Sequence, residues 1–470
     1  MAAYESVSRS KISIIGKESY LDLKKAQLPP LTLPESEDDY DPQKHRNPSR
    51  AIGKWMAYFN MSRTMLGAGM LAIPLATSQA GLALGTFLNV ATLLIIIKAH
   101  WTLLWCLNEI SRQLRIPYIS YRYGFRIALL HGPSWLHCIA RKGSLLISIL
   151  MLMSQLGICT VYVIFTVGCV RDVLDIESYN IAMAIIILPF LLLGYFMNTL
   201  RIVSYTSMLA TALTFIGISI VLFQTVYYMK DHVKFKWAST NAIPIFFAIG
   251  SYLFNLSATG VILYLDRALR NPKILTTRTG VVAVGMGVPG LFSIIFGGFG
   301  YISLGAMDEN ILRSLPFDRA ESMVAISFYC LAITLAYPLQ AYPATQIVIE
   351  IIVERYDTRP DEKYLKLVEK LIRGIFIFIT FLVAYVVPFQ GSFVAFVGCL
   401  CTSILCLVFP ALMHLSLLYP DQYGTYKHQL ATDVFIIMIG LVCFLCGAVM
   451  CAYLLYIRIL FMINSENKYM

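Results

Sequence analysis

Two stretches of this chain combine apolar bulk with residues that unsettle a helix, and that combination could bind a small solute. The first runs from Asn60 to Gly81 and holds Gly67, Ala68 and Gly69, with Pro74 shortly after. Glycine loosens helical backbone, and proline removes a donor and clashes with the turn before it. In hydrocarbon a freed N–H or C=O is tolerable only where protein or a water-filled cavity satisfies it. The second stretch carries Gly250-Ser251 and Gly260, with Asn255 and Ser257 between them. The exposed main chain at such interruptions can hold the carboxylate and ammonium of an amino acid, and half-helix N-termini favour the carboxylate. Thr64, Gly67, Ala68, Gly69, Gly250, Ser251, Phe254, Asn255 and Ser257 are the binding candidates here. The competing reading is that these glycines and prolines serve close helix packing.

Ionisable groups inside apolar runs form the second set. An intramembrane charge is costly, so each is a functional candidate. Arg63 lies a turn before Gly67 and is expected in an ion pair or a gate. Lys98 and His100 follow Ile95-Ile96-Ile97. Histidine titrates near neutral pH and suits a proton relay, while Lys98 can snorkel to the surface. Asp266 beside Arg267 reads as a gate or loop tie. Tyr162, Tyr337 and Gln340 are polar groups on otherwise apolar helices. Glu350, Glu354 and Arg355 read as interfacial.

The elements that must position these residues are membrane spans. The chain has 470 residues, 58% hydrophobic and 14% charged, with a mean hydropathy of +0.69. Soluble domains run at roughly 45–50% apolar and about 25% charged. This composition therefore predicts an all-α polytopic membrane protein embedded in the lipid bilayer. Eleven segments approach the length of about 20 apolar residues that a spanning helix needs. They are 55–79, 81–107, 143–170, 179–197, 202–229, 242–265, 279–305, 321–353, 371–388, 391–418 and 431–460. Lys and Arg concentrate in the loops that share a side with the N-terminus, which predicts a cytoplasmic N-terminus. Residues 1–54 read as a disordered cytoplasmic tail, 55–460 as the transmembrane domain and 461–470 as a short C-terminal tail. Broken segments at matching positions in two halves point to an inverted-repeat transporter with its site at the midplane.

Several function classes are excluded. No basic soluble face suggests nucleic acid. No cysteine or histidine spacing suggests a metal, and no cofactor motif is present. Clustered acids, bases and nucleophiles of an enzyme are missing. A channel filter is also missing.

The order of motifs resembles the proton-coupled amino acid transporters of the amino acid/auxin permease superfamily, over about residues 50–460. The first span carries Arg63, Gly67-Ala68-Gly69 and Ile73-Pro74-Leu75-Ala76 where that family shows Lys, Gly-Thr-Gly and Leu-Pro-Leu-Ala. Span three carries Leu156-Gly157-Ile158-Cys159-Thr160-Val161-Tyr162. Span six ends in Gly260-Val261-Ile262-Leu263-Tyr264-Leu265-Asp266 and Asn271-Pro272. Span ten carries Phe396-Val397-Gly398 and Phe409-Pro410-Ala411-Leu412. The resemblance implies a LeuT-like 5+5 inverted repeat with helices 1 and 6 broken, plus an eleventh helix. It implies symport of small neutral amino acids with protons, in a plasma membrane or a lysosomal or vacuolar membrane. It also implies that Tyr162 caps the substrate. The chain departs from the family at Met65, where the family has Asn, and at Leu256-Ser257, where it has Phe-Glu. A non-transporting amino-acid sensor of the same fold is the alternative.

Overall fold

The computed structural model describes residues 40–45, 52–196, 200–227, 235–277, 279–305, 307, 311–314, 320–355, 362–420, 423–424 and 427–466. The rest of the expected tails, residues 1–39, 46–51 and 467–470, lies outside the described residues. Helices account for almost all regular structure, with one isolated parallel bridge between Ile52 and Leu269. Nine helical segments among the described residues are long and apolar enough to cross a membrane. The expectation of eleven also counted the split first segment and 371–388, most of which lies in the helix Glu362–Val386.

The first segment is interrupted. Helix α1 (Lys54–Met65) stops at Leu66, a 3-10 turn covers Met70–Ala72, and α2 (Ile73–Ala80) resumes with Pro74 in its first turn. Proline fits there because the opening N–H groups of a helix have no intrahelical partner. Gly81 ends α2 with φ of 93°, a conformation side chains other than glycine's rarely tolerate. A Cβ on Gly81 would also lie 2.7 Å from Ala238, since the 236–239 loop bonds back to Ala80, Leu82 and Ala83.

Then come α3 (Leu82–Gln113), α4 (Tyr121–His131), α5 (His137–Leu174), α6 (Tyr179–Phe196) and α7 (Leu200–Tyr227). Helix α4 was not expected. Its buried Tyr121, Phe125, Ile127, Ala128 and Leu129 make an amphipathic face that packs on α5.

The sixth segment is split into α8 (Ala242–Leu256) and α9 (Thr259–Ala268), with Ser257 and Ala258 between them. This corrects the expected position of the break. Gly250 and Ser251 lie inside the intact α8, and Gly260 lies inside α9. Gly250 instead permits a tight crossing. A Cβ there would sit 2.3 Å from the Ala395 carbonyl oxygen, and one on Gly398 would sit 1.9 Å from the Gly250 oxygen. Small residues of this kind let two membrane helices approach backbone to backbone.

The second half continues with α10 (Val281–Leu304), α11 (Ala320–Arg355), α12 (Glu362–Val386) and the tenth segment. The tenth segment is α13 (Gln390–Val397), a π-helical stretch over Gly398–Val408, and α14 (Phe409–Leu417). The last segment is α15 (His428–Val442), a short π turn and α16 (Ala448–Glu466). Helix α11 packs on α7 and α5, α10 on α1 and α3, and α8 on α13 and α2. Helix α15 joins the tenth segment through His414 Nδ1 and Asp433 Oδ2, 2.5 Å apart and buried.

Candidate functional site

The two interruptions face each other in the middle of the bundle. A Cβ added to Gly69 would lie 2.9 Å from the Phe254 ring and 3.4 Å from Asn255 Oδ1. Gly69 therefore touches the last turn of α8, just before the second break. A Cβ on Gly67 would lie 2.6 Å from Tyr162 Oη, so α5 covers the first break from the side. The carbonyls freed at that break find donors from elsewhere. Tyr329 Oη donates to the Gly67 oxygen at 3.4 Å, and Gln390 Nε2 donates to the Ala68 oxygen at 3.1 Å. Four separate segments thus converge on residues 67–69, as helix breaks at membrane depth require.

The same region holds buried polar atoms without hydrogen bonds. Both amide atoms of Asn255 and of Gln340 are in this group, as is Gln155 Oε1. Tyr162 Oη faces Gln340 but makes no hydrogen bond of normal geometry. Leaving a buried donor or acceptor unsatisfied costs about 1–3 kcal/mol. Polar atoms gathered in this way can be met by ordered water or by a ligand. Thr64, by contrast, bonds the Asn60 carbonyl in its own helix, and Ser251 bonds the Phe247 carbonyl. Their hydroxyls are satisfied away from the centre.

His100 stands at the second break. Its Nδ1 donates to the Ile96 carbonyl at 2.8 Å, which leaves Nε2 to accept from the Thr259 hydroxyl at 3.3 Å in the neutral ring. Thr259 opens α9 and also contacts Cys406 Sγ at 2.7 Å. Ser257, in the second break itself, lies 3.8 Å from the same sulfur. The histidine is thereby linked to the broken helix through one hydroxyl. Lys98 is exposed on the outside of the bundle.

Arg63 differs from expectation. It is fully buried, yet forms no ion pair among the described residues. Nη1 donates to the Leu66 carbonyl at 3.1 Å and to Thr214 Oγ1, and Nη2 donates to the Ala332 carbonyl at 3.2 Å. Burying a charge costs several kcal/mol. Hydrogen bonds to a charged group contribute roughly 1.5–3 kcal/mol each, so three of them can offset that cost without an acid.

Two cavities flank the centre. One of about 50 Å³ opens toward the face that carries the N-terminal residues, lined by Tyr118, Tyr121, Gly260, Gln346, Arg267 and Glu350. Arg267 Nη1 meets Glu350 Oε1 at 2.5 Å, with both side chains about a third exposed at 31% and 35%. Glu350, expected at the interface, is thus paired with Arg267 there. The Arg267 guanidinium also stacks 4.1 Å from the Tyr118 ring centre. Burial pushes the Tyr118 hydroxyl up to about 12 despite that cation, so it stays neutral. Asp266 is buried next to this cluster. The other cavity, about 90 Å³, opens on the opposite face and reaches Gln390, the residue that bonds the first break. Tyr337 lies away from both, with its hydroxyl on Thr380 at 3.0 Å.

Gln155, Tyr329, Gln390, Thr259 and Cys406 were missed at the sequence level. Gln155 and Gln390 carried a usable signal, being amides within apolar segments. Tyr329, Thr259 and Cys406 carried none.

A family model described as transmembrane amino acid transporter protein matches residues 50–453. The chain is 23% identical over 410 residues to the proton-coupled amino acid transporter-like protein pathetic of Drosophila melanogaster, covering 86% of this chain and 85% of that protein. It is 22% identical over 403 residues to the probable amino acid transporter skat-1 of Caenorhabditis elegans, covering 83% and 85%. Among solved structures, a Na+-coupled sialic acid symporter in a substrate-bound outward-open state aligns with a TM-score of 0.54 at 14% identity, over 96% of this chain and 97% of that one. The nucleobase-cation-symport-1 family transporter Mhp1, closed around bromovinylhydantoin, aligns with a TM-score of 0.52 at 9% identity, over 92% and 96%. These two likenesses establish the fold.

Proposed function

This chain belongs to the transmembrane amino acid transporter family, and from that premise we propose that it moves small neutral amino acids with protons by alternating access. Eleven spans carry the cycle, the first and sixth of them broken, with the N-terminus in the cytoplasm. The observation that supports the reading is the meeting of Gly67–Gly69 with Phe254 and Asn255, under Tyr162 and beside unpartnered amides. Main-chain groups at the breaks bind the zwitterion. The close approach of Tyr162 to Gly67 and of Phe254 to Gly69 favours a small side chain. Arg267 with Glu350 closes the cytoplasmic side, and opening that pair exposes the site inward.

Proton coupling runs through His100, the titratable group bonded to the second break by way of Thr259. Protonation converts Nε2 from acceptor to donor, so the Thr259 hydroxyl must turn and the start of α9 feels the change. The relatives whose names carry amino acid transport, one of them proton-coupled, favour the same substrate class and ion.

The test is uptake of labelled amino acids into proteoliposomes over a range of pH, with and without sodium. Accumulation of small neutral amino acids driven by an inward proton gradient is the expected result. Binding without uptake would replace transport by amino-acid sensing in the same fold. A preference for large or charged substrates would overturn the size argument.

A further inference from the structure

Arg63 is a cation sealed inside the bundle and surrounded by neutral oxygens. One acceptor is the Leu66 carbonyl, freed where α1 ends. The second is the hydroxyl of Thr214 on α7, and the third is the Ala332 carbonyl on α11. The side chains of Tyr162 and Tyr329 lie nearby. Carbonyl and hydroxyl oxygens from several elements, without imidazole or thiolate, are the donor set that a hard inorganic cation takes. Here that set converges on a side chain.

The three elements are the first span at its break, span five and span eight. Asn60 and Ser204 add a second tie between the first and fifth spans, 2.8 Å long, on the N-terminal side of Arg63. Tyr329, one turn before Ala332, reaches the Gly67 oxygen from the same helix. The charge therefore sits at the joint where the broken helix meets its neighbours.

Resting on the transport reading above, we propose that the Arg63 guanidinium is this protein's built-in cation, filling an oxygen cage between spans one, five and eight so that uptake requires no alkali ion. A tethered cation occupies the cage at every stage of the cycle. Like charge and filled volume exclude a free ion from the same oxygens. The cage is then a fixed hinge, and the driving ion must act elsewhere.

The test uses the full-length protein in liposomes, with sodium, lithium, potassium or choline as the external cation. Wild-type uptake should be equal in all four. Arg63→Ala should lose roughly tenfold in choline, the scale of one charged hydrogen-bonded group. Millimolar guanidinium or a small alkali ion should restore much of it, and urea, which has a similar shape without the charge, should not. Arg63→Lys should keep cation-independent uptake.

Thermal unfolding of purified Arg63→Ala gives a second measurement that needs no transport. Guanidinium should stabilise this variant and urea should not, even if the wild type proves to carry no amino acid, a result that would remove only the transport reading. The proposal fails if wild-type uptake collapses in choline, or if Arg63→Ala works there unaided. It also fails if no small cation restores uptake or stability to Arg63→Ala, as would follow from Arg63 holding the substrate carboxylate. Should Arg63→Ala not fold, sodium-dependent uptake by Arg63→Lys overturns the proposal and uptake that persists in choline supports it.

Discussion

The contact between Gly67 and Tyr162 sets how much room the centre offers. A methyl group at Gly67 would meet the phenol oxygen at 2.6 Å, at the far end of a side chain that can give a little. Gly67→Ala should therefore fold and insert normally while losing substrate affinity. A clash realised only when substrate occupies the centre lowers affinity roughly tenfold for each 1.4 kcal/mol. Tyr162→Phe removes a hydroxyl that forms no normal hydrogen bond, so protein stability should barely change. If that hydroxyl binds substrate, affinity should fall by the roughly 0.5–1.5 kcal/mol of one hydrogen bond. Titration calorimetry or scintillation proximity on purified protein checks both. His100→Ala should weaken the dependence of uptake on pH, because it removes the titratable ring bonded to Thr259 at the second break. An uptake profile that keeps its pH dependence in this variant would place the coupling group elsewhere.

At the scale of elements, the proposed cycle assigns binding to the broken helices and closure to their charged ends. Helix α9 touches both regions, with Thr259 at its start on His100 and Arg267 near its end on Glu350. The Arg267–Glu350 pair is partly exposed, so its effect on folding should be small, about 0–1 kcal/mol. Its effect on the cycle is a shift in population between closed and open forms. Arg267→Glu should lower thermal stability only modestly while raising the accessibility of a cysteine placed at Gln346, which lines the adjoining cavity. The swap Arg267→Glu with Glu350→Arg should restore closure. Labelling rates with a membrane-impermeant thiol reagent distinguish these cases, and equal rates in all three proteins would remove the pair from the gate.

For the whole molecule, the bilayer is the missing partner that its surface demands. Phe87, Leu94, Phe223, Leu291, Phe378 and Phe461 all point outward, which water would penalise and lipid would not. On the N-terminal face, a turn at residues 41–44 reaches the transmembrane domain. Asp41 pairs with Lys273 at 2.9 Å, and Gln43 reaches Asn108 at 3.2 Å. Partial burial raises the Asp41 carboxyl, but Lys273 and the Gln43 amide outweigh it and hold it below the ordinary range. A depressed carboxylate contributes its stability above the unfolded value near 4 and loses it as pH falls through the folded value. The contact should accordingly persist at neutral and mildly acidic pH and release only below about 4. Hydrogen exchange at the Gln43 amide, whose N–H donates to Asp41 at 3.0 Å, measures that release.

Most of the fold was legible because a spanning helix is a local object: a run of apolar residues fixes it with little help from distant chain. The expected spans 179–197, 202–229 and 279–305 became Tyr179–Phe196, Leu200–Tyr227 and Val281–Leu304. The first break was legible for the same reason, since Gly67, Gly69 and Pro74 weaken the helix wherever it packs. The second break was not. Gly250 and Gly260 stayed helical, and the chain opened at Ser257-Ala258, where Cys406 and His100 reach in from other segments to meet Ser257 and Thr259. Composition marked Arg63 as costly but could not say what would surround it. Only the packing of α7 and α11 against the first break produced three neutral oxygens in place of an acid. The sequence determined which segments enter the membrane, because burial of apolar length is additive along the chain. Tertiary structure decided where they open and what each buried polar group meets, because hydrogen bonds are directional and their partners lie far away in sequence.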